Sequence, residues 1–445
     1  YIRMACAELK SMKKPAPSGE QTLNKNILVV GGGISGMTAA LDAAAAGYPV
    51  HLVEKSSALG GAVAGYYKVI PTRSPYAEPA ENPVPAMIQA IEANDRITVH
   101  LNSSIMKTDG APGRFNVDIA TESGTNQTVS VGAIIQASGW KPYDANKLPE
   151  FAYAKSADVV TNHELEALAV AANGGPIKRP SDGKEVTSVC FIQNAGQCST
   201  KEGHLPYFSG VTDLVSIKQA MYFKELNGDC DTTILFDNLR TPGAGGEDFY
   251  RAGQQAMVTF SKGIASEVVP GDTLTVKFQD KILNEDAEMA CDLVVLATGM
   301  EPNSGPDPYA QLAFDEAEEG SEEKEQLKRA LEVAPPSILN LQYRQGTDLP
   351  HLRHGFTDSH FICFPYETRR TGIYAVGPVR RPMDMQQARD DATGGTLKAI
   401  QAAENAGLGR AAHPRSGDLS FPTFRKEGCT QCKRCTVECP FGAIN

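Results

Sequence analysis

The sequence has few aromatic residues, more negative than positive charge, and no long hydrophobic run. One of its 445 residues is tryptophan and 7% are aromatic. No stretch approaches the roughly 18 consecutive apolar residues of a membrane span, and the first residues lack the layout of a signal peptide. The 42 basic and 53 acidic residues give a net charge of −11, which disfavours binding to nucleic acid. We expect a cytoplasmic protein that reaches the inner face of a membrane only through a partner protein.

Cysteine is too scarce, at 10 residues, for a disulfide-rich secreted scaffold. Four of the ten form one C-x2-C-x2-C-x3-C-P motif near the end of the chain. Three thiolates at this spacing wrap one face of a [4Fe–4S] cubane, and in two-cluster ferredoxins the fourth binds the other cluster. We predict that Cys429, Cys432 and Cys435 bind one cluster and Cys439 a second. A zinc site is the alternative, but zinc usually takes two separated pairs of cysteines.

We interpret the other six cysteines as mostly buried structural thiols. They are Cys6, Cys190, Cys198, Cys230, Cys291 and Cys363. The chain begins at Tyr1 and ends shortly after Cys439, so we expect a piece of a longer polypeptide. Residues 1–25, with their turn-forming prolines and glycine, are predicted to be an N-terminal linker.

A glycine-rich turn near the start of the chain indicates dinucleotide binding. An apolar strand over residues 26–30 leads into Gly31-Gly-Gly-Ile-Ser-Gly36, and an alanine-rich helix follows. The first glycine permits the tight turn, the second makes room for the pyrophosphate, and the third lets helix and strand pack closely. Glu54 ends the next strand, where a carboxylate can accept hydrogen bonds from ribose hydroxyls. The predicted contacts of this motif are Gly31, Gly33, Ile34, Ser35, Gly36 and Glu54.

Further segments favour FAD over NAD as the dinucleotide. They resemble the successive motifs of flavoproteins with two dinucleotide-binding domains, in the same order along the chain. The predicted contacts in these segments are Lys55, Gly60, Gly61, Ala137, Ser138, Gly139, Thr298, Gly299 and Gly377. A second block of alternating strands and helices follows the first, but its first strand continues as Asn194-Ala-Gly-Gln-Cys198, without the glycine spacing. Direct reduction by a nicotinamide is therefore disfavoured.

The fold class that follows is α/β: a thioredoxin-reductase-like flavoprotein with two dinucleotide-binding domains and a C-terminal ferredoxin-like [4Fe–4S] module. We expect the first part of the FAD-binding domain over residues 26–150 and a second, nucleotide-binding-like domain over 151–300. An acidic insertion and the return to the FAD-binding domain occupy 301–420. The start of the ferredoxin-like domain occupies 421–445. Arg369-Arg370 and Arg380-Arg381 flank the final strand of the FAD-binding domain and are predicted either to neutralise pyrophosphate or to form a docking patch.

Four segments together resemble the flavin-binding A-type polypeptide of heterodisulfide reductase and two relatives of it, the A and B polypeptides of the quinone-interacting membrane-bound oxidoreductase (Qmo) complex. They are residues 30–42, 174–184, 216–225 and 358–374, the last being most similar to the Qmo B polypeptide. The resemblance implies FAD on the first domain, cubane clusters on ferredoxin-like modules, and electron relay to other redox subunits. A ferredoxin or a membrane quinone-reactive subunit would be one of the partners. Relatives commonly carry several cysteines between Gln193 and Lys218, whereas this chain has Cys198 alone there.

Three functions are compatible with these features. The first is an oxidoreductase subunit of a heterodisulfide reductase-like or Qmo-like complex that passes electrons between FAD and [4Fe–4S] clusters in anaerobic sulfur or energy metabolism. The second is an NAD(P)H-dependent flavin oxidoreductase resembling the small subunit of glutamate synthase, which the missing second glycine motif disfavours. The third is a non-catalytic assembly subunit, which the intact Gly31, Gly33, Gly36 and Glu54 disfavour.

Overall fold

The computed structural model describes residues 2–3 and 23–413, apart from 122, 123, 125, 202, 309, 344, 345 and 360–363. Most of the predicted N-terminal linker and all of the predicted cluster-binding segment lie outside these residues. The helices, in chain order, are α1 Ile34–Ala45, α2 Gly61–Ala64, α3 Val84–Glu92, α4 Asn162–Ala172, α5 Thr212–Leu226, α6 Gly246–Gln255, α7 Ala310–Glu316, α8 Glu322–Glu332 and α9 Met385–Gly407.

The strands up to the middle of the chain are β1 Ile27–Val30, β2 Val50–Val53, β3 Ile97–His100, β4 Ser103–Asp109, β5 Phe115–Thr121, β6 Asn126–Val131, β7 Ala133–Gln136, β8 Trp140–Pro142 and β9 Val159–Thr161. The later strands are β10 Ser188–Ala195, β11 Asp231–Phe236, β12 Thr259–Val269, β13 Leu274–Asp280, β14 Glu285–Cys291, β15 Leu293–Thr298, β16 Met300–Pro302 and β17 Ile373–Ala375.

The first sheet is parallel, in the order β17-β7-β1-β2-β3. Ile27, Leu28 and Val29 of its central strand are completely buried, as expected for a parallel sheet covered on both faces. One face packs against α1 and α9. The other packs against the antiparallel sheet β4-β5-β6. Since β17 comes from near residue 375, the chain returns to this sheet after forming the second one.

The second sheet has the order β14-β13-β12-β11-β10-β15-β9. Strands β12 to β9 in this order are parallel, while β13 and β14 extend the sheet as an antiparallel meander. Helices α4, α5 and α6 cover one face. Chain order reverses between β10 and β15, so the carboxyl ends of these strands form the crevice where ligands bind in open α/β sheets.

Two of the segments that connect the sheets in the described structure concern the site. One is an antiparallel ribbon in which β8, just after the first sheet's β7, pairs with β16, just after the second sheet's β15. The other is the Tyr66–Lys68 segment of the first domain, which contacts α4 and α5 of the second. The acidic helix α8 lies on the surface of the described structure, with its side chains in solvent. Within the described part of the chain, none of the helices combines the length and apolar character needed to cross a membrane.

Candidate functional site

The turn between β1 and α1 has the geometry that its glycines predict. Gly31 adopts φ +109°, a left-handed conformation, and a Cβ there would overlap the carbonyl of Ala137. A Cβ on Gly36 would overlap the carbonyl oxygen of Gly31. These two glycines are therefore required by the protein's own packing.

Gly33 differs from its neighbours because an added Cβ would lie 3.9 Å from the nearest described atom beyond its chain neighbours, the Cα of Gly61. The residue before α1 provides no capping side chain, so backbone N–H groups at this end remain available to a ligand. Among the described residues, the buried hydroxyl of Ser35 in the first turn finds no hydrogen-bond partner. Open space, free donors and the positive end of a helix fit a pyrophosphate group.

Glu54 follows β2 directly and lies against the glycine turn. Its Oε2 accepts a hydrogen bond from the backbone N–H of Gly32 at 2.6 Å, and its Oε1 accepts one from Ser56 N at 2.8 Å. The carboxylate is thus held rigidly at the end of the strand. Lys55 beside it is exposed.

The Gly60–Gly61 pair also lies against the glycine turn. Gly60 donates its N–H to the carbonyl of Gly32 at 2.8 Å and forms a bridge with Gly33. Both glycines have positive φ, 112° at Gly60 and 55° at Gly61. The structure therefore places Glu54 and Gly60 beside the turn that contains Gly31 and Gly33, although they are distant from it in sequence.

The two crossover segments lie at the ribbon between the sheets. Ala137 donates its N–H to Val30 O at 2.8 Å, and Ser138 Oγ donates to Asn303 O. Gly139 has φ +70°, with open space in the described structure where a Cβ would lie. Thr298 is buried and its Oγ1 bonds Asn162 Oδ1 at 3.0 Å. Gly299 is packed against Leu205, Ser209 and Gln197 of the second domain.

Gly377 begins the turn that follows β17 and completes the predicted set. Its φ is +76°, and a Cβ there would overlap the Ser35 hydroxyl. Its N–H donates to Asp391 Oδ2 at 2.8 Å. The same carboxylate forms a buried ion pair with Arg380. Arg380 therefore braces α9 against this turn, and its side chain is too buried to form a docking patch.

A buried ion pair, not anticipated from the sequence, lies where the two domains meet. Lys218 Nζ of α5 is 2.7 Å from Glu166 Oε1 of α4, with the side chains 2% and 3% exposed. The lysine also donates to the carbonyl of Lys68 at 2.8 Å. Burial lowers the pKa of Lys218 and the Glu166 carboxylate opposes that shift. Lys218 lies in residues 216–225, one of the four segments that carried the family resemblance. Its ion pair could not be inferred there because Glu166 and Lys68, which it contacts, are distant in sequence.

Beside this pair is a small enclosed cavity of about 20 Å³. Trp140 of the ribbon, Thr298 and Tyr66 contribute to its wall. His163 Nε2 and Thr212 Oγ1 in the same wall are buried and make no hydrogen bond to any described residue. Burial lowers the pKa of His163 to about 4. The first turn of α5 contributes Thr212, so this helix starts at the enclosed cavity.

The corresponding turn of the second sheet is replaced by a loop. After β10, residues 196–211 fold back on themselves through bonds such as Leu205 N to Gly196 O at 2.9 Å before α5 begins. The loop borders an open cleft of about 300 Å³. Cys198 lines this cleft and is exposed, so it is an exception to the prediction that these six thiols are mostly buried. Cys190, Cys230 and Cys291 are buried as predicted, while Cys6 and Cys363 lie outside the described residues.

The predicted cluster ligands Cys429, Cys432, Cys435 and Cys439 also lie outside the described residues. Within the described ranges no group of three or more His, Cys, Asp or Glu side chains is arranged to hold a metal ion. The cluster assignment therefore depends on the cysteine spacing and on comparison with other proteins.

Comparison with known proteins defines the class first. The pyridine nucleotide-disulphide oxidoreductase family matches residues 25–173, and the 4Fe-4S binding domain matches residues 422–445. Thioredoxin reductase from Lactococcus lactis superposes with a TM-score of 0.51 at 16% identity, covering 86% of this chain and 99% of that one. Thioredoxin reductase from T. acidophilum superposes with a TM-score of 0.50 at 14% identity, covering 85% of this chain and 98% of that one. The chain is an oxidoreductase with a thioredoxin-reductase-like fold, an FAD cofactor and a C-terminal [4Fe–4S] domain.

More narrowly, the chain is similar along its whole length to the A-type polypeptide of heterodisulfide reductase, as the sequence resemblance indicated. The A polypeptide of the ferredoxin/F(420)H(2)-dependent CoB-CoM heterodisulfide reductase of Methanosarcina acetivorans is 24% identical, with 100% of this chain and 60% of that relative aligned. The A polypeptide of the H(2):CoB-CoM heterodisulfide,ferredoxin reductase of Methanothermobacter marburgensis is also 24% identical, with 100% and 72% aligned. The chain thus spans 60% and 72% of the length of these two relatives.

Proposed function

We propose that this chain exchanges electrons between an FAD held at the β1–α1 turn and the C-terminal [4Fe–4S] clusters, within a heterodisulfide reductase-like or Qmo-like complex of anaerobic sulfur or energy metabolism. A flavin exchanges one or two electrons while a cubane carries one, so the pair converts between the two modes. Other redox subunits would supply and remove the electrons, and a ferredoxin or a membrane quinone-reactive subunit would be one of them.

The observation that carries this proposal is the contrast between the two sheets. In the first, Gly33 leaves open space at the N-terminus of α1, and Glu54 lies at the end of β2. In the second, residues 196–211 separate β10 from α5, and α5 begins beside the enclosed cavity. A dinucleotide turn in the first sheet and a long loop in its place in the second support a protein that receives electrons from protein partners rather than from NAD(P)H.

In this proposal each residue of the first site has a physical task. The N–H groups of Ile34, Ser35 and Gly36 face pyrophosphate charge at the start of α1. Glu54 accepts hydrogen bonds from ribose hydroxyls. The remaining predicted contacts border the flavin and its phosphates: Gly31, Gly33, Lys55, Gly60, Gly61, Ala137, Ser138, Gly139, Thr298, Gly299 and Gly377. Cys429, Cys432, Cys435 and Cys439 ligate the clusters.

An anaerobic absorbance titration tests the proposal. The purified chain, with flavin and clusters, is treated first with NADH, then with NADPH, and then with dithionite. Flavin bands that persist with both nicotinamides and bleach with dithionite are expected. Bleaching by a nicotinamide would instead identify a self-sufficient NAD(P)H oxidoreductase, and a chain purified without any flavin would identify an assembly protein.

A further inference from the structure

Two histidines on neighbouring strands of the first sheet lie side by side and have no part in the function proposed above. His51 is on β2 and His100 ends β3, and in this parallel pair Val53 lies opposite His100. Because side chains alternate along a strand, His51, Val53 and His100 point to the same face of the sheet. Nδ1 of His51 is 3.2 Å from Nε2 of His100, and the ring planes are inclined by 31°. The sheet therefore brings two imidazole nitrogens together.

The distance between these nitrogens suits two ligands of one metal ion. Zn²⁺ binds histidine nitrogen at about 2.0–2.1 Å, so two nitrogens bound to one tetrahedral ion are roughly 3.3 Å apart. The facing nitrogens of His51 and His100 are already 3.2 Å apart. Imidazole is a ligand that suits Zn²⁺ and Ni²⁺, whereas Mg²⁺ takes oxygen ligands. The pair thus has both the spacing and the chemistry for an imidazole-preferring cation.

The two rings are also close to the chemical state that a metal ion needs. Burial lowers the pKa of His51, and burial, with a smaller contribution from the charge of His51, lowers the pKa of His100. Both rings are therefore neutral near pH 7, and the 3.2 Å contact is a hydrogen bond in which one facing nitrogen carries the proton. An ion would need both facing nitrogens unprotonated. A change of tautomer in one ring achieves this without net loss of a proton.

Solvent reaches the pair and can supply the other ligands. Both side chains are half-buried, and β3 is the edge strand of its sheet. Among the residues that the structure describes, no third His, Cys, Asp or Glu side chain joins them to form a metal-binding group. Water would therefore complete the coordination. We expect weaker binding than at a closed site with four protein ligands.

We propose that His51 and His100 bind one divalent first-row cation that prefers imidazole, with Zn²⁺ and Ni²⁺ as the representative ions. The ion would join β2 to β3 beside the end of β2. There the backbone N–H of Glu54 donates to the carbonyl of His100 at 2.9 Å. Binding to the folded chain alone stabilises that fold, so the ion would stabilise the sheet edge at which Glu54 lies.

Calorimetry on the full chain, carrying its flavin and clusters and no affinity tag, tests this site. The probes are ZnCl₂, NiCl₂ and MgCl₂, each up to about 1 mM. Cys198 is first blocked with N-ethylmaleimide, because an exposed thiol also binds zinc. We expect Zn²⁺ and Ni²⁺ each to bind at one site per chain and to raise Tm, and Mg²⁺ to do neither. No binding of Zn²⁺ and Ni²⁺, or equal binding of Mg²⁺, would overturn the proposal.

Two variants and one control locate the binding. His51→Gln and His100→Gln each replace a ring by an amide that can still hydrogen-bond the remaining histidine. Each should weaken Zn²⁺ and Ni²⁺ binding at least tenfold, while Tm without added metal and flavin content stay near those of the unmodified chain. His354→Gln changes an exposed histidine that packs on the Tyr207 ring and should leave metal binding unchanged. Unchanged Zn²⁺ affinity in both His51→Gln and His100→Gln would refute the site.

Discussion

The two larger sheets of this chain have similar parallel cores, but the connections that follow their central strands differ in length. In the first, residues 31–33 connect β1 to α1, and the helix starts at the strand end. In the second, residues 196–211 connect β10 to α5, and that helix starts at an enclosed cavity beside Lys218 and Glu166. The comparison teaches that a helix N-terminus reaches the end of its strand, where it could bind a phosphate, only when the connecting turn is short.

The largest effect is expected from the glycines of the first turn. Gly36→Ala places a methyl group against the Gly31 carbonyl, and overpacking at backbone should cost about 3 kcal/mol or more. In Gly33→Val the new side chain enters open space, so the chain should still fold. The same side chain would occupy the space proposed for the pyrophosphate, so we expect flavin binding to be abolished while the iron content stays near that of the unmodified chain. Thermal melts, flavin absorbance after extraction, and iron assays measure these outcomes. Parallel loss of flavin and iron in Gly33→Val would show that the two cofactor sites are not independent.

The second largest effect is expected at the junction of the sheets. Lys218→Met leaves the Glu166 carboxylate buried without its cation, which should lower the free energy of unfolding by about 3–5 kcal/mol. The double variant Lys218→Met, Glu166→Gln should recover most of that loss. Urea unfolding of the single and double variants measures the coupling. As a matched control, Lys277→Met breaks an exposed pair with Glu267 and should cost less than about 1 kcal/mol.

A smaller, pH-dependent effect is expected at Asp213 in the first turn of α5. Burial raises the pKa of this carboxyl to about 6, although the hydrogen bond that it accepts from the backbone N–H of Arg240 acts to lower that pKa. A raised carboxyl pKa favours the folded state fully below about pH 4, and that contribution is lost as pH rises through about 6. It amounts to about 3 kcal/mol, at 1.36 kcal/mol per pH unit.

The stability of the unmodified chain relative to Asp213→Asn should therefore fall between pH 4 and pH 7. Urea unfolding of both proteins at each pH measures the difference. The difference between the two proteins is needed because His163 has the opposite pH dependence. Burial lowers the pKa of His163 to about 4, so its contribution to the stability of the folded chain is lost as the pH falls below 6.5. A pH-independent difference between the two proteins would contradict the assigned burial of Asp213.

The smallest effect concerns the second-sheet loop. Cys198 is exposed while Cys190, Cys230 and Cys291 are buried. Among these four we expect N-ethylmaleimide to label Cys198 alone in the native chain, and Cys198→Ser to change the free energy of unfolding by less than about 0.5 kcal/mol. Labelling of Cys190 at the same rate would show that the second sheet opens readily.

The parts of the fold that depend on local patterns could be predicted from sequence. The turn at Gly31–Gly36, the acid at Glu54 and the crossover at Ala137–Gly139 follow from spacing and strand order. The parts that depend on contacts between distant segments could not. Lys218 and Glu166 are 52 positions apart in the numbering, and nothing in either neighbourhood of the sequence indicates a partner. The pairing of Arg380 with Asp391, which lies on another element, likewise could not be predicted from the sequence.

The exposure of Cys198 could not be predicted for a different reason. Cysteine is among the most buried residue types, and this average guided the prediction. Cys198 has φ +53° and lies in a long loop at the end of a strand. Its exposure is therefore set by the path of that loop and not by the average burial of cysteine. The absence of the glycine spacing after β10 was visible in the sequence, and it correctly indicated that the second turn differs from the first.

The attachment of the two sheets at separate places has a mechanical consequence. A body joined to another by one flexible strand can swing, but the second sheet is joined by the β8–β16 ribbon and, independently, by the Tyr66–Lys68 segment. Turning about the ribbon would first have to pull Lys218 and Tyr222 from the Lys68 carbonyl and expose a buried charge. Such an opening has the free energy of a local unfolding event rather than of a hinge motion. The β1–α1 turn is therefore held in a fixed position relative to the second sheet.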